Sequence, residues 1–252
     1  MIKILRARLR QKFRTVAYPA APPVVSDRLR GLPRIAATAC RIGCHACCDA
    51  CPTHACTREG ADQPRIDLGR CLFCSACARA CPAAAITFSQ EHRLAARLRK
   101  ELIIDGTDIP RMQALDLHMR RLFGRSLKLR QVSAGGCNAC EADTNVLSTI
   151  VYDLGRFGIQ FVASPRHADG LLITGPVTKN MALALRKTYD AVPAPKLVIA
   201  VGACAISGGL YAGHAEADNG ATGSVPVDLF IPGCPPHPTT ILDGLLRLLG
   251  RI

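Results

Sequence analysis

The chain has 252 residues, 49% hydrophobic and 20% charged, with a formal net charge of +13. That length suffices for two compact domains, and the composition excludes disorder throughout. Aromatics at 4%, no Trp and no RRM or zinc-finger pattern argue against nucleic acid as the partner of the positive charge.

The first fourteen positions hold six basic residues and no acids. Ile2, Leu5, Leu9, Phe13 and Val16 recur at helical spacing, with Lys3, Arg6, Arg10 and Arg14 one residue on. The pattern predicts a basic amphipathic helix over 1–16, suited to a membrane surface or to the cytoplasmic rim of a membrane partner. The plainer alternative is a solvated terminal helix packed on its own domain. The segment lacks the apolar centre of a signal peptide, and no run approaches the ~20 apolar residues of a membrane span. An intracellular, reducing location is therefore expected, where clustered thiolates bind metal rather than pair as disulfides. Tyr18–Pro23 is a Pro/Ala-rich connector that ends the helix, and 1–30 form one N-terminal segment.

Residues 31–95 are dense in cysteine and poor in long apolar runs, as in a small domain organised by metal. Two half-repeats close in Cys51-Pro52 and Cys81-Pro82. Residues 91–125 are basic and Leu/Ala-rich. They predict a helix and then an irregular stretch containing Pro110, with 96–125 as the linker. Beyond 126, strands at 126–132, 158–163, 170–174, 197–201 and 228–231 alternate with helices at 141–157, 180–190 and 239–249. Such alternation implies an α/β domain over 126–252 with a mostly parallel sheet covered on both faces. Cys137 and Cys140 follow the first strand, Cys204 the fourth and Cys234 the last. Sites in these folds lie beyond the carboxyl ends of the strands, so the four thiols are expected to converge.

The strongest motif is Cys71-x2-Cys74-x2-Cys77-x3-Cys81-Pro82, the bacterial ferredoxin spacing. Three evenly spaced thiolates suit one cubane, and the fourth, beside proline, reaches the neighbouring cluster. Zinc ribbons use two separated Cys-x2-Cys pairs instead. The first half departs from the pattern. Counting back from Cys51 gives Cys47 and Cys44, but the next position is Arg41, with Cys40 one residue earlier. We read Cys40-x3-Cys44-x2-Cys47-x3-Cys51, with a one-residue bulge. A three-iron cluster, or Cys48 or Cys56 as the ligand, remains the alternative. Crossed ligation assigns Cys40, Cys44, Cys47 and Cys81 to one [4Fe–4S] cluster, and Cys71, Cys74, Cys77 and Cys51 to a second. Cys48 and Cys56 are otherwise small buried residues.

In the C-terminal half, Gly135-Gly136-Cys137-Asn138-Ala139-Cys140, Gly202-Ala203-Cys204 and Gly233-Cys234-Pro235-Pro236 place cysteines in glycine-supported loops. No Gly-Lys-Ser/Thr follows to suggest a nucleotide cradle. The stretches GGCNACEADTN, FGIQFVASPRHADGLLITGPVTKNM, PKLVIAVGACAISGG and VPVDLFIPGCPPHPTTILDGLL resemble the small-subunit family shared by complex I, in its 20 kDa-type B subunit, and membrane-bound group 4 [NiFe] hydrogenases. Residues 1–95 are similar to the two-cluster ferredoxin subunit of the same assemblies, especially formate hydrogenlyase. The resemblance implies an α+β ferredoxin-like domain followed by an α/β flavodoxin-like domain without flavin. It also implies that Cys137, Cys140, Cys204 and Cys234 hold a third [4Fe–4S] cluster, nearest the partner's active centre. Two subunits that are usually separate are fused here, and the Cys-x2-Cys pair resembles the hydrogenase branch.

The resemblance thus implies an electron-transfer subunit of an oxidoreductase, peripheral on the cytoplasmic face of the cell membrane. Its expected partners are a hydrogenase- or complex-I-like large subunit, membrane-arm subunits reached by the basic helix, and a formate-dehydrogenase-type or other electron donor. Every Cys-x2-Cys pair is already assigned, so no [NiFe] ligand set remains on this chain and catalysis is expected on the partner. A complex-I-like assembly without nickel is the first rival, and a soluble cluster-bearing sensor or binding protein the second. Glu141 suits either a proton relay or the favourable start of a helix. Arg166 and His167 suit cluster tuning, a structural role or a subunit contact.

Overall fold

The structure is a computed structural model and describes residues 2–58, 63–106, 109 and 112–252; Pro110 lies outside them. Helix α1 (Ile2–Gln11) is exposed along its whole length. It is shorter than its apolar pattern predicts. Lys12 takes a left-handed backbone (φ 55°), which ends the helix and takes Phe13 and Val16 off the stripe. Val16 instead packs against the C-terminal core, and its amide donates to the carbonyl of Val151 at 2.8 Å.

The cysteine-rich half is two strand–helix–strand units: β1 (Pro33–Ile35), α2 (Ala46–Asp49), β2 (Cys56–Thr57), then β3 (Arg65–Asp67), α3 (Ala76–Ala80), β4 (Ile86–Phe88). The outer strands pair antiparallel, Ile35 opposite Ile86, and so do the inner ones, Cys56 opposite Ile66. The repeat extends to single backbone angles. Gly43 and Phe73, each just before the second cysteine of its half, are left-handed at φ 74° and 53°. His54 and Ala84, each three residues after the Cys of a Cys-Pro pair, are left-handed at φ 50° and 47°.

The sequence predicts a helix from 91 and a linker over 96–125; the chain instead builds the described residues of this stretch into both halves. Leu94, Ala95 and Ala96 are buried, and Ala96 exchanges backbone hydrogen bonds of 3.0 and 2.8 Å with Phe230. These residues form a single antiparallel bridge beside Phe230 rather than a helix. A 3-10 turn at Arg99–Leu102 leads to β5 (Ile103–Ile104), which extends the β2–β3 sheet. Helix α4 (Leu117–Phe123) begins where the Asp116 side chain accepts from the Met119 amide at 2.9 Å.

The C-terminal half contains β6 (Leu127–Ser133), α5 (Ala139–Val146), β7 (Ile159–Phe161), β8 (Gly170–Thr174), α6 (Lys179–Ala191), β9 (Leu197–Val201), α7 (Ala203–Ser207), β10 (Leu229–Ile231) and α8 (Pro238–Leu248). Its five strands are all parallel, in the order β10-β9-β8-β6-β7. Numbered within the domain this is 2-1-3-4-5, the doubly wound flavodoxin-like order, with its switch point between β6 and β8. β8 and β9 are buried at every position, as central parallel strands require, and so is the edge strand β10, whose outer side Ala96 covers. Helix α5 is shorter than the predicted 141–157. The Thr149 hydroxyl takes the carbonyl of Val146, and Asp153 turns left-handed (φ 48°) before a 3-10 turn at Leu154–Phe157.

The halves share one apolar cluster in which Ala200, Ala205, Ile206 and Phe230 pack with Ile66, Leu68, Leu94 and Leu102. The Ser207 hydroxyl donates to the Gly69 carbonyl at 2.8 Å, and a Cβ on Gly69 would lie 2.8 Å from Ile206 Cγ2. The contact is therefore tight enough to fix the cysteine loops of one half against those of the other.

Candidate iron–sulfur sites

All fourteen cysteines are free thiols. In the first half a small pocket is lined by Cys40, Cys44, Cys47 and Cys81, with Arg41, Pro64 and Pro82 around them. Cys48 and Cys56 are not in its wall. Arg41, where the ferredoxin spacing expects a thiol, also lines the cavity, and the extra residue carries Cys40 to its edge. Arg58 holds this loop, donating from Nη1 to the Cys44 carbonyl at 2.8 Å and to Cys40 Sγ at 3.6 Å. No spacing rule would have singled out Arg58.

The second group is Cys51, Cys71, Cys74 and Cys77. Burial, and then the proximity of Cys77, Cys51 and Cys74, pushes the Cys71 thiol up to about 12. Burial raises Cys77 to about 11, with Cys51, Cys74 and Cys47 adding to it. Backbone amides already point at sulfur: Phe73 donates to Cys71 at 3.3 Å, Ala55 to Cys51 at 3.2 Å and Ala85 to Cys81 at 3.3 Å. The last two are equivalent bonds in the two half-repeats.

The third group forms at the carboxyl end of the parallel sheet. Cys137 lies in the loop after β6, Cys140 in the first turn of α5, Cys204 in the first turn of α7 and Cys234 after β10. Burial raises the Cys140 thiol, and Cys204, Glu141, Cys234 and Cys137 raise it further. Burial pushes Cys204 to about 11, with Cys234 and Cys137 adding to it. Burial also raises Cys234, followed by Cys137 and then Cys74 of the second group. Gly202 has φ +90°, and a Cβ there would lie 2.5 Å from Cys140 Sγ, so only glycine fits. Cys137 and Cys234 are exposed, beside a surface that also exposes Leu210 and Tyr211.

This donor set fits iron–sulfur chemistry. Iron binds thiolate, and burial with mutual repulsion raises the thiols of Cys71, Cys77, Cys140, Cys204 and Cys234, so a cationic cluster would displace their protons and relieve that repulsion. Zinc would be satisfied by one tetrahedral quartet and gives no reason for three such groups in one chain.

Glu141 is buried in the first turn of α5. Its Oε1 accepts from the Ser133 hydroxyl at 2.6 Å and the Thr174 hydroxyl at 2.7 Å. Burial works to raise its pKa, but these bonds win and hold the carboxyl below its ordinary range. Arg166 and His167 lie exposed in a 3-10 turn between β7 and β8.

The fold and its cysteine groups define an iron–sulfur protein. Residues 64–87 match the 4Fe-4S binding domain, and residues 137–248 match the family described as NADH ubiquinone oxidoreductase, 20 Kd subunit. The chain belongs to that 20 kDa subunit family. A relative named probable membrane-bound hydrogenase subunit mbhJ, from Pyrococcus furiosus, is 38% identical over 148 residues, 59% of this chain and 89% of the relative. Formate hydrogenlyase subunit 7 of Escherichia coli is 43% identical over 128 residues, 51% of this chain and 50% of that protein. A chain of the membrane-bound sulfane sulfur reductase, an archaeal respiratory membrane complex, is 35% identical over 54% of this chain and 75% of that one, with a TM-score of 0.47.

Proposed function

We propose that this chain is the electron-transfer subunit of a membrane-associated [NiFe] hydrogenase of the formate hydrogenlyase type, holding three [4Fe–4S] clusters. The ligand sets are Cys40, Cys44, Cys47 and Cys81; Cys51, Cys71, Cys74 and Cys77; and Cys137, Cys140, Cys204 and Cys234. The observation that carries this reading is the continuity of the three groups. Cys77 feels Cys47 of the first group, and Cys234 feels Cys74 of the second. The clusters supply one-electron storage and transfer. The protein's part is to fix the order first–second–third, to aim amides at the sulfurs, and to pack the groups against one rigid core.

The exposed thiols Cys137 and Cys234, with Leu210 and Tyr211, suit coverage by a large subunit that carries the catalytic centre. Helix α1 exposes Ile2, Leu5 and Leu9 beside Lys3, Arg6 and Arg10, as suits the cytoplasmic surface of a membrane or a membrane-arm subunit. Among the described residues no helix is long and apolar enough to cross a membrane. A complex-I-like assembly without nickel is the second reading, favoured by the 20 kDa subunit family itself.

The test is to purify the complex from membranes under anaerobic conditions and quantify its metals. About twelve irons per chain are expected from three cubanes, with nickel on a co-purifying large subunit. Nickel-free preparations with the same iron select the second reading. About eight irons, or a lone soluble chain, overturn the proposal.

A further inference from the structure

Two cysteines lie outside the three proposed ligand sets. Cys56, on β2, is buried, and Cys48 is half-buried in α2 directly after Cys47. Cys48 and Cys56 have their Sγ atoms 3.5 Å apart, and Cys48 Sγ lies 4.0 Å from Cys47 Sγ. The three sulfurs form a compact group in which only Cys47 also lines the pocket shared by Cys40, Cys44 and Cys81.

We propose that Cys56 and Cys48 are a relay of thiol hydrogen bonds onto Cys47 that raises the reduction potential of the cluster held by Cys40, Cys44, Cys47 and Cys81. The proposal rests on Cys47 being a ligand of that cluster. In the free protein either sulfur of each pair can be the donor. An iron-bound thiolate has no proton and can only accept. Cys48, which is outside the ligand set and keeps its S–H, therefore turns its single proton toward Cys47. Its own sulfur is left to accept from Cys56, so both S–H bonds point toward the iron. Reduction adds negative charge that spreads over the cluster's sulfurs, and donors aimed at them stabilise the reduced state.

The half-repeat supplies an internal control. Cys48 follows Cys47 as Ala78 follows Cys77, and Cys56 stands five residues after Cys51 as Ile86 stands five after Cys81. The second half thus has no donor at either equivalent position. The frames of the two clusters also differ in the extra residue before Cys44 and in Arg58 on Cys40, so the contribution of the two thiols, which makes the first cluster easier to reduce, is read from their own variants.

The experiment is a potentiometric titration of the purified complex followed by EPR, with ENDOR in H2O and D2O. In the unmodified protein an exchangeable proton coupled to the first cluster is expected in addition to those of the Ala85 amide on Cys81 and of Arg58 on Cys40; its absence overturns the proposal, and this holds even where a variant fails to assemble. Cys48→Ala should keep all its iron and lose that proton. It should also lower the ratio of reduced to oxidised first cluster at fixed applied potential about threefold, the effect of one weak sulfur hydrogen bond. Cys56→Ala should give a smaller shift of the same sign. The double variant should match Cys48→Ala, because Cys56 acts only through Cys48; additive shifts would overturn the relay. Full iron with an unchanged potential in Cys48→Ala, or a Cys48–Cys56 disulfide found by mass spectrometry in the working complex, also overturns it. Cys47→Ser separates the underlying reading: retention of the first cluster's signal in that variant sinks the ligand assignment itself.

Discussion

The Tyr18 hydroxyl donates to Oδ1 of Asp243, joining residues 225 positions apart in the interior of the molecule. Tyr18 is 8% exposed and Asp243 0%, and Arg247 Nε donates to the other carboxylate oxygen at 2.8 Å. Arg156 closes the clamp from outside, donating to the carbonyls of Val16 at 2.8 Å and Tyr18 at 2.9 Å. The connector after α1 is thus fastened to the central helix α8, which sets where the basic helix leaves the body.

Tyr18→Phe should remove one bond from a buried carboxylate and cost about 1–3 kcal/mol. Denaturant unfolding should register the loss, and limited trypsin digestion should cut between 12 and 30 sooner than in the unmodified protein. Equal digestion rates would mean that the clamp does not hold the connector.

Gly202→Ala places a Cβ 2.5 Å from Cys140 Sγ at a backbone angle that L-residues avoid. The expected result is loss of the third cluster alone, with iron falling from about twelve to about eight per chain. The EPR signals of the other two clusters should persist, because the cysteine-rich half takes none of its proposed ligands from this loop.

Cys40→Ser should remove or open the first cluster, lowering iron by one to four atoms per chain, whereas Cys48→Ser should keep full iron. The cavity wall sets the difference, since it includes Cys40 and excludes Cys48. The reverse outcome would move the fourth ligand to Cys48.

Much of this site could be read from spacing, and the reasons differ by region. Strands β8 and β9 match the sequence reading residue for residue because a fully buried parallel strand is an unbroken apolar run. The convergence of Cys137, Cys140, Cys204 and Cys234 followed from the rule that loops after parallel strands lie at one end of the sheet. Residues 94–96 favour helix by propensity, and the bridge from Ala96 to Phe230, far away in sequence, overrides it. The early stop of α1 lies in the backbone of Lys12 alone, to which an apolar periodicity is blind. Arg58 and Gly202 act through close approaches that exist only once the chain is folded.

Glu91 is held at about 2 by the Arg93 side chain, against the opposing effect of its burial, from an ordinary value of 4.5. A depressed carboxylate contributes stability that is present above 4.5 and lost as pH falls toward 2. The stability advantage of the unmodified protein over Glu91→Gln should therefore be full at neutral pH and shrink progressively below 4.5. Unfolding curves for the two proteins across that range provide the check. A difference that stays constant with pH would show that the pair contributes no proton-linked stability.

Replacing Lys3, Arg6 and Arg10 with Gln should weaken binding of the full complex to anionic vesicles by on the order of a hundredfold, at about 1 kcal/mol per charge. The effect should fade at high salt. Unchanged binding would place the attachment elsewhere than α1.

The core shared by Phe230, Ile206, Leu68 and Leu102 also bears on how such a relay is supplied. Two separate carriers must meet, and the fraction joined at any moment depends on how much of each the cell makes. Here Ser207 already rests on Gly69, so the meeting is complete when the chain folds. In the proposed relay the hand-off between the second and third clusters is independent of dilution, and the two halves cannot be produced in unequal amounts.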